Sequence, residues 1–331
     1  MTMPTPARRR ALLAAATALA AAGLVPLSAS AQAGWPNRPI KLIVPFAPGG
    51  GSDIIARTIA TKLSARLGQP IIIDNRGGGG GILGVDAAAK AAPDGYTLLF
   101  TTTAFATNAA ASRKLPYDSA KDFTPIGQIG ATPLLVVVAG DSRIRTLRDL
   151  IEAAKAKPGA VNYGSGGMSS MSHLGMEYLA TAAKIKITHV PYKGMAPAFT
   201  DVMAGNIQVG MSTFASAAGM MEAGKLRGLA VTSAQRLPFA PNLPTVAESG
   251  VPGFQVDFWW GLMAPARVPA EVVKRVNEEL NAVLAQPEAR EILARDAAVP
   301  TPSTPEGFSR LVAQDLARWS KLVKDANIQV E

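Results

Sequence analysis

The sequence predicts an α/β fold of two facing lobes, and three features of its pattern carry that prediction. Short apolar runs alternate with helical patterns of ten or more residues, the order that parallel βαβ units require. The runs are continuously apolar, as in strands of a sheet covered on both faces. The series also restarts midway, so each half has its own junction of strand, Gly/Ser loop and helix, at Pro48–Ser52 and at Gly164–Ser170.

The first unit opens with IKLIVPF and a helix on which Ile55, Ile59, Leu63 and Leu67 recur four apart. PIIIDN follows, then a glycine loop leading to ILGVDAAAKAA, the turn PDG and the strand YTLLFTTT. The second unit begins at PLLVVV and the helix TLRDLIEAAKAKPG, which Pro158 and Gly159 end. VNYGSGG leads to a helix around SHLGMEYLATAA, and KITHVPYKG to APAFTDVMAGN; IQVGMSTF and LRGLAVTS complete the unit. FQVDFWWGLMAP supplies a further strand, after which two long helices close the chain. Pro269 starts one, with Val272, Val273, Val276, Leu280, Val283 and Leu284 on one stripe. Thr304-Pro305-Glu306 opens the other, which carries Leu311, Val312, Leu316, Trp319 and Leu322; both stripes read as core packing.

Ahead of this fold stands a segment of another kind. MTMPTPARRR is basic, ALLAAATALAAAGLV is apolar and PLSASAQA ends in A-x-A patterns, the three regions of a secretory leader cleaved after about Ala31 or Ala33. The apolar run is alanine-heavy and short of the roughly 20 residues a membrane span needs. Arg8, Arg9 and Arg10 leave both the general and the twin-arginine export routes open. The chain has no cysteine, which fits an exported protein with a sufficient core and neither disulfides nor a lipid-anchored cysteine. Net charge is +9, or +6 without the three leader arginines, and the remaining charges of both signs are interspersed. No basic run interleaved with aromatics points to nucleic acid.

Glycine junctions hold anions because the main chain approaches closely and helix-start N–H groups are unpaired. A phosphate loop would need G-x-x-x-x-G-K-[ST], and no Lys follows PGGGSD. Asp53 occupies the first turn instead, where it takes up N–H groups and repels a dianion, so a carboxylate fits better than a phosphate. Gly79-x-Gly81-x-x-Gly84 matches a dinucleotide fingerprint only nominally: it follows the second strand, and no acidic residue ends a later strand at the required distance. Close backbone packing is the better account of that loop.

A catalytic set is thin. Ser169 and His173 are read as i,i+4 on one helix, without the G-x-S-x-G elbow of a hydrolase. His173 and Glu177 share a face, but two ligands make no metal site. His189, at a strand end, reads as structural. In FWWG the two indoles point to opposite faces of a strand, so at most one lines a cleft.

Taken together, WPNRPIKLIVPFAPGGGSDIIAR, IIIDNRGGGGGILGVDAAAKAAPDGYTLL, YGSGGMSSMSHLGMEYL, HVPYKGMAPAFTDVMAGNIQV and LPTVAESGVPGF…WGLMAP resemble the substrate-binding proteins of tripartite tricarboxylate transporters, the Bug family. The match runs from about Trp35 to the carboxyl terminus. The resemblance implies a type II-like periplasmic two-lobe binding fold, with the ligand cleft between lobes and two crossover strands. Lobe 1 would comprise residues 35–134 and 235–331, and lobe 2 residues 135–234. It also implies a binding protein rather than an enzyme: a monomer without cofactor or metal, carrying a mono-, di- or aromatic carboxylate to permease subunits. A sensor that reports the same solute to a membrane receptor fits the same fold.

By position, the resemblance assigns first-lobe contacts to Phe46, Ala47, Pro48, Gly49, Gly50 and Gly51, with Asp53 shaping the loop and Thr101, Thr102 and Thr103 facing the cleft. The second lobe would contribute Ser165, Gly167, Ser169, Ser170 and the surroundings of His173, with Tyr192 and Lys193 on the PYKG turn and Ser212 at a strand end. Met168-Ser169 stands where a small residue and Gly are common, and GMSTF replaces an end that often carries Asp. Both departures fall where the ligand should sit.

Overall fold

The computed structural model describes residues 34–49, 51–112, 114–168, 170–326 and 328, and the fold lies within 38–331. The leader at 1–33 and the expected contacts Gly50 and Ser169 lie outside the described residues.

The first half of the chain forms β1 (Ile40–Val44), α1 (Gly51–Leu67), β2 (Ile71–Asn75), α2 (Ile82–Ala89), β3 (Thr97–Thr102) and α3 (Ala104–Ala111). A single 17-residue strand, β4 (Phe123–Ala139), leads into the second half. There α4 (Leu147–Ala156), β5 (Asn162–Ser165), α5 (Met171–Ala183), β6 (Thr188–Pro191), α6 (Met195–Met203), β7 (Val209–Thr213), α7 (Phe214–Glu222) and β8 (Leu226–Val231) follow. The chain then returns through β9 (Asp257–Pro265) to α8 (Ala270–Leu284), α9 (Pro287–Ala294), β10 (Val299–Pro300) and α10 (Pro305–Asp325).

The strands join in the order β2-β1-β3-β9-β4-β7-β5-β6, with β8 and β10 also pairing with β4. As expected, β1 is parallel to β2 and β3, and β5 is parallel to β6 and β7. The two returning strands are antiparallel: β9 to β3 and β4, and β4 to β7 and β8. β2 departs from the doubly covered pattern because it ends the sheet, and Ile72 is 57% exposed there.

β4 serves both halves. Its first part pairs with β9 from Phe123↔Pro265 to Pro133↔Asp257, and its second with β7 and β8 from Leu134 onward. The change falls at Pro133, which has no N–H to give to a ladder. Next to it, the Leu134 N–H donates to Thr232 Oγ1 at 2.7 Å, and the Thr232 hydroxyl donates to the Val256 carbonyl at 2.5 Å. The buried Thr232 thus ties β4 to the segment that leads back into β9. PLLVVV reveals only the second part of β4, because Pro125, Gly127, Gly130 and Pro133 disguise the first. Register shifts at two of these positions accommodate them.

Beyond the two closing helices legible in the sequence, a short α9 and β10 intervene. α10, capped by Thr304 through the Gly307 N–H, packs Phe308 and Val312 into the core around Trp259 and Trp319 and Leu322 into that around Tyr163. One helix therefore contributes to the cores of both halves.

Candidate functional site

The first junction is tied by Asp53, buried in the first turn of α1. Its Oδ2 accepts the Gly49 N–H and Arg57 Nε, both at 2.8 Å, and its Oδ1 accepts Asn75 Nδ2 at 2.8 Å. The same Asn75 amide donates to the Phe46 carbonyl at 3.1 Å, while Arg57 closes the circuit onto Asn75 Oδ1. Burial disfavours the charged carboxylate, but these donors outweigh it and hold the Asp53 pKa below its ordinary value. The loop is thereby shaped with Gly49 at φ +86°, while Ala47 and Pro48 stay exposed and Phe46 half-buried. A second carboxylate stands close by: a Cβ on Gly51 would lie 3.3 Å from Asp296 Oδ2, whose pKa burial raises.

The second glycine loop packs by main chain, as its sequence suggests. A Cβ at Gly84 would fall 2.6 Å from the Arg76 carbonyl oxygen and 2.8 Å from Pro45 Cα. Asn108 on α3 holds the loop tip, donating to the Gly80 carbonyl at 2.9 Å.

In the second half, α5 begins at Met171 with Ser170 as its cap, whose Oγ accepts the His173 N–H; the expected pairing of Ser169 with His173 lies outside the described residues. Ser170 Oγ donates to the Gly167 carbonyl at 2.7 Å, and Ser172 Oγ accepts the Gly166 N–H. Ser165 is fully buried; its Oγ accepts the Gly167 N–H at 3.1 Å and meets His189 Nε2 at 2.6 Å. This serine–histidine contact pairs residues that the sequence left apart, yet the hydroxyl is sealed from solvent. The His189 ring stacks on His173 at 4.0 Å and on Tyr163 at 4.9 Å, and the Tyr163 hydroxyl donates to Glu177 at 2.5 Å. Burial lowers the pKa of both histidines to about 4, for His173 with a further contribution from His189. Burial also raises the Tyr163 and Glu177 pKa values. Glu177 is thus turned to Tyr163, and the stack is a neutral brace under the Gly166–Ser170 loop.

The other expected residues divide between buried and exposed. Thr101, Thr102 and Thr103 are buried: Thr102 Oγ1 accepts the Ala104 N–H, and Thr103 Oγ1 accepts the Trp259 N–H at 2.9 Å. The buried Ser212 donates to the Thr213 carbonyl. The Tyr192 hydroxyl donates to Asp201 at 2.5 Å, a bond that with burial pushes its pKa up to about 12; Lys193 beside it is exposed.

A cavity of about 620 Å³ has walls from both halves. One wall is Gly79, Gly80 and Ile82 with α3 from Ala104 to Ala111; the other is Met168, Ser170 and Met171. Phe258 of β9 lies between them, packed edge-on against Trp260 at 5.1 Å. Of the ligand contacts expected from the sequence that fall on described residues, Ser170 lines this cavity; neither indole does. Trp259 instead bonds Asp315 in the core, and Trp260 Nε1 donates to Ser52 Oγ at 3.2 Å. The whole of α3 escaped the sequence reading, although TTTAFATNAAAS has the small polar start and alanine content of a short helix. Lys114, just beyond α3, is the one charged side chain in the lining among the described residues. The first residues of α3 and α5, Ala104 and Met171, both face this space, so the positive ends of two helix dipoles flank it.

The model of the tripartite tricarboxylate transporter family receptor matches residues 55–328. Protein BugT of Bordetella pertussis is 33% identical over 316 residues, covering 95% of this chain and 96% of BugT. An R. palustris protein solved with adipate is 37% identical with a TM-score of 0.75, covering 89% of this chain and 99% of its own. MatC from Rhodopseudomonas palustris, solved with bound malate, is 31% identical with a TM-score of 0.72, covering 87% and 100% of the two chains.

Proposed function

This chain belongs to the tripartite tricarboxylate transporter receptor family, and from that premise we propose that it captures a small organic carboxylate between two lobes and delivers it to the membrane permease subunits of such a transporter. The observation that carries the reading is the cavity into which the α3 and α5 starts both face, one helix from each half. Helix-start dipoles favour a carboxylate there, and no acidic side chain among the described residues lines the space. The relatives solved with adipate and malate support the ligand class. Lobe 1 is residues 35–134 and 235–331, lobe 2 is 135–234, and closure turns about Thr232 and the β4 crossing. Of the described contacts assigned by the resemblance, Ser170 lines the cavity; those at Phe46–Gly51 and Thr101–Thr103 and the residues Tyr192, Lys193 and Ser212 lie outside its lining.

Among the described residues no helix is long and apolar enough to cross a membrane, and the leader at 1–33 directs the protein to the periplasm. The reading is of a carrier, not an enzyme, and the buried hydroxyl of Ser165 against His189 supports it, since that serine–histidine contact is sealed from solvent. Calorimetry and thermal shift with carboxylates, sugars and inorganic cations test it. Stabilisation by a carboxylate with no turnover is expected; response to sugars or cations alone overturns it.

A further inference from the structure

The structure assigns Met168 as an oxidation site in the wall of the cavity between the halves, where conversion of its thioether to the sulfoxide lowers affinity for the bound acid. The binding effect rests on the carboxylate reading above; the modification itself does not. The chain has no cysteine, so its sulfur chemistry falls on its methionines, of which Met1 and Met3 lie in the leader. Among the described residues Met168 is the one exposed methionine, at 38%. Met176, Met211 and Met263 are fully buried, and Met195, Met203, Met220 and Met221 pack half-buried against the core around Phe199. Met171 shares the cavity lining but packs against the core around Tyr163. An oxidant in solution must reach the sulfur, so it meets Met168 first.

The loop keeps Met168 at this wall. Gly167 before it takes φ +125°; its N–H donates to Ser165 Oγ at 3.1 Å, and its carbonyl accepts Ser170 Oγ at 2.7 Å. The reaction needs only a two-electron oxygen donor from solvent, a peroxide or a hypohalous acid. With hydrogen peroxide, the sulfur lone pair attacks one oxygen, the O–O bond breaks and an S–O bond forms. The proton on the transferred oxygen passes to the departing one, which leaves as water, so sulfur loses the two electrons that the peroxide gains. The product puts an oxygen of negative partial charge into a wall that also holds Ile82, Met171 and Phe258. A carboxylate entering the cavity then meets a charge of its own sign, and the hydrocarbon of a ligand meets a group that is costly to strip of water.

The test treats the purified protein with graded hydrogen peroxide, maps each methionine by peptide mass spectrometry, and measures affinity for adipate and malate by calorimetry before and after. Met168 should convert at least about fivefold faster than any other described methionine. Affinity for whichever acid binds should fall at least about fivefold, and methionine sulfoxide reductases should restore it. Met168→Leu, whatever its own starting affinity, should keep that affinity through the same treatment, while Met171→Leu should lose it as wild type does. Bound acid should slow conversion of Met168 at least about threefold. Conversion of Met171 as fast as Met168 overturns the assignment. So does an oxidised wild type of unchanged affinity, or a Met168→Leu protein that peroxide weakens equally; each leaves the carboxylate function standing. If neither acid binds untreated wild type, the carboxylate reading fails and the binding effect with it, while the peptide map still decides the modification site.

Discussion

The imidazole rings of His173 and His189 lie 4.0 Å apart and within 10° of parallel, one from α5 and one from β6. Two rings so placed cannot both be charged without strong repulsion, and burial already disfavours the first charge. His189 Nε2 meets the hydroxyl that organises the Gly166–Ser170 loop, so the protonation state of the pair bears on loop shape.

Stability should fall on acidification through this pair. Each histidine has a folded pKa near 4 against an ordinary 6.5, so the unfolded chain binds more protons between those values. The histidine contribution is complete above pH 6.5, is lost as pH drops toward 4 and levels off below. Melting temperature should decline from pH 7 to pH 4.5, and His173→Phe, which keeps the stack and removes one titration, should flatten the decline. An unchanged pH profile in that variant would refute the assignment.

Asp53→Ala removes the acceptor for Gly49, Arg57 and Asn75 at once. It should destabilise the fold by about 1–3 kcal/mol in urea unfolding. Because the folded pKa of Asp53 is lowered, its contribution is present above pH 3.8 and lost as the pH falls further, a more acidic window than that of the histidines. The variant should show no such acid-range loss.

Gly84→Ala places a Cβ against backbone on two sides, the Arg76 carbonyl and Pro45 Cα, neither of which can rotate away. Destabilisation of about 1–3 kcal/mol is expected. Since the same loop carries Gly79 and Gly80 into the cavity wall, affinity for the carboxylate proposed to bind there should fall beyond what the stability loss explains. Chemical denaturation and calorimetry on one preparation separate the two effects.

Thr232→Val keeps the shape of the side chain and deletes the hydroxyl that accepts the Leu134 N–H and donates to the Val256 carbonyl. Two buried backbone groups lose a partner, at about 1–3 kcal/mol. Thr232→Ser should recover most of it. If the valine variant matches wild type in urea, the tie between the crossing segments is not where stability resides.

Much of the fold is legible in the chain because local signals agree with it. Thr146 and Asp149 form a reciprocal cap at the start of α4, Pro269 and Thr304 mark the starts of α8 and α10, and the stripe from Val272 to Leu284 is buried as its spacing requires. The first part of β4 was not legible, because Gly127 and Gly130 read as breakers. Their role is tertiary: a Cβ at either would meet Asn277 or Leu293 at 3.0 Å or less.

The sequence by itself determined two α/β units, a junction in each, Asp53 as the acid at the first of them and the resemblance that the family match bears out. Those are properties of local pattern and of ordered motifs, which survive without knowledge of what packs on what. Only the tertiary structure decided the cavity, because its walls are brought together from positions as far apart as Gly79, Met168 and Phe258. Only it paired Ser165 with His189 and His173 with His189, contacts made by parallel strands and a helix whose separation in sequence carries no period. Periodicity reports which face of an element is buried; which other element covers that face is fixed by the order of strands in the sheet.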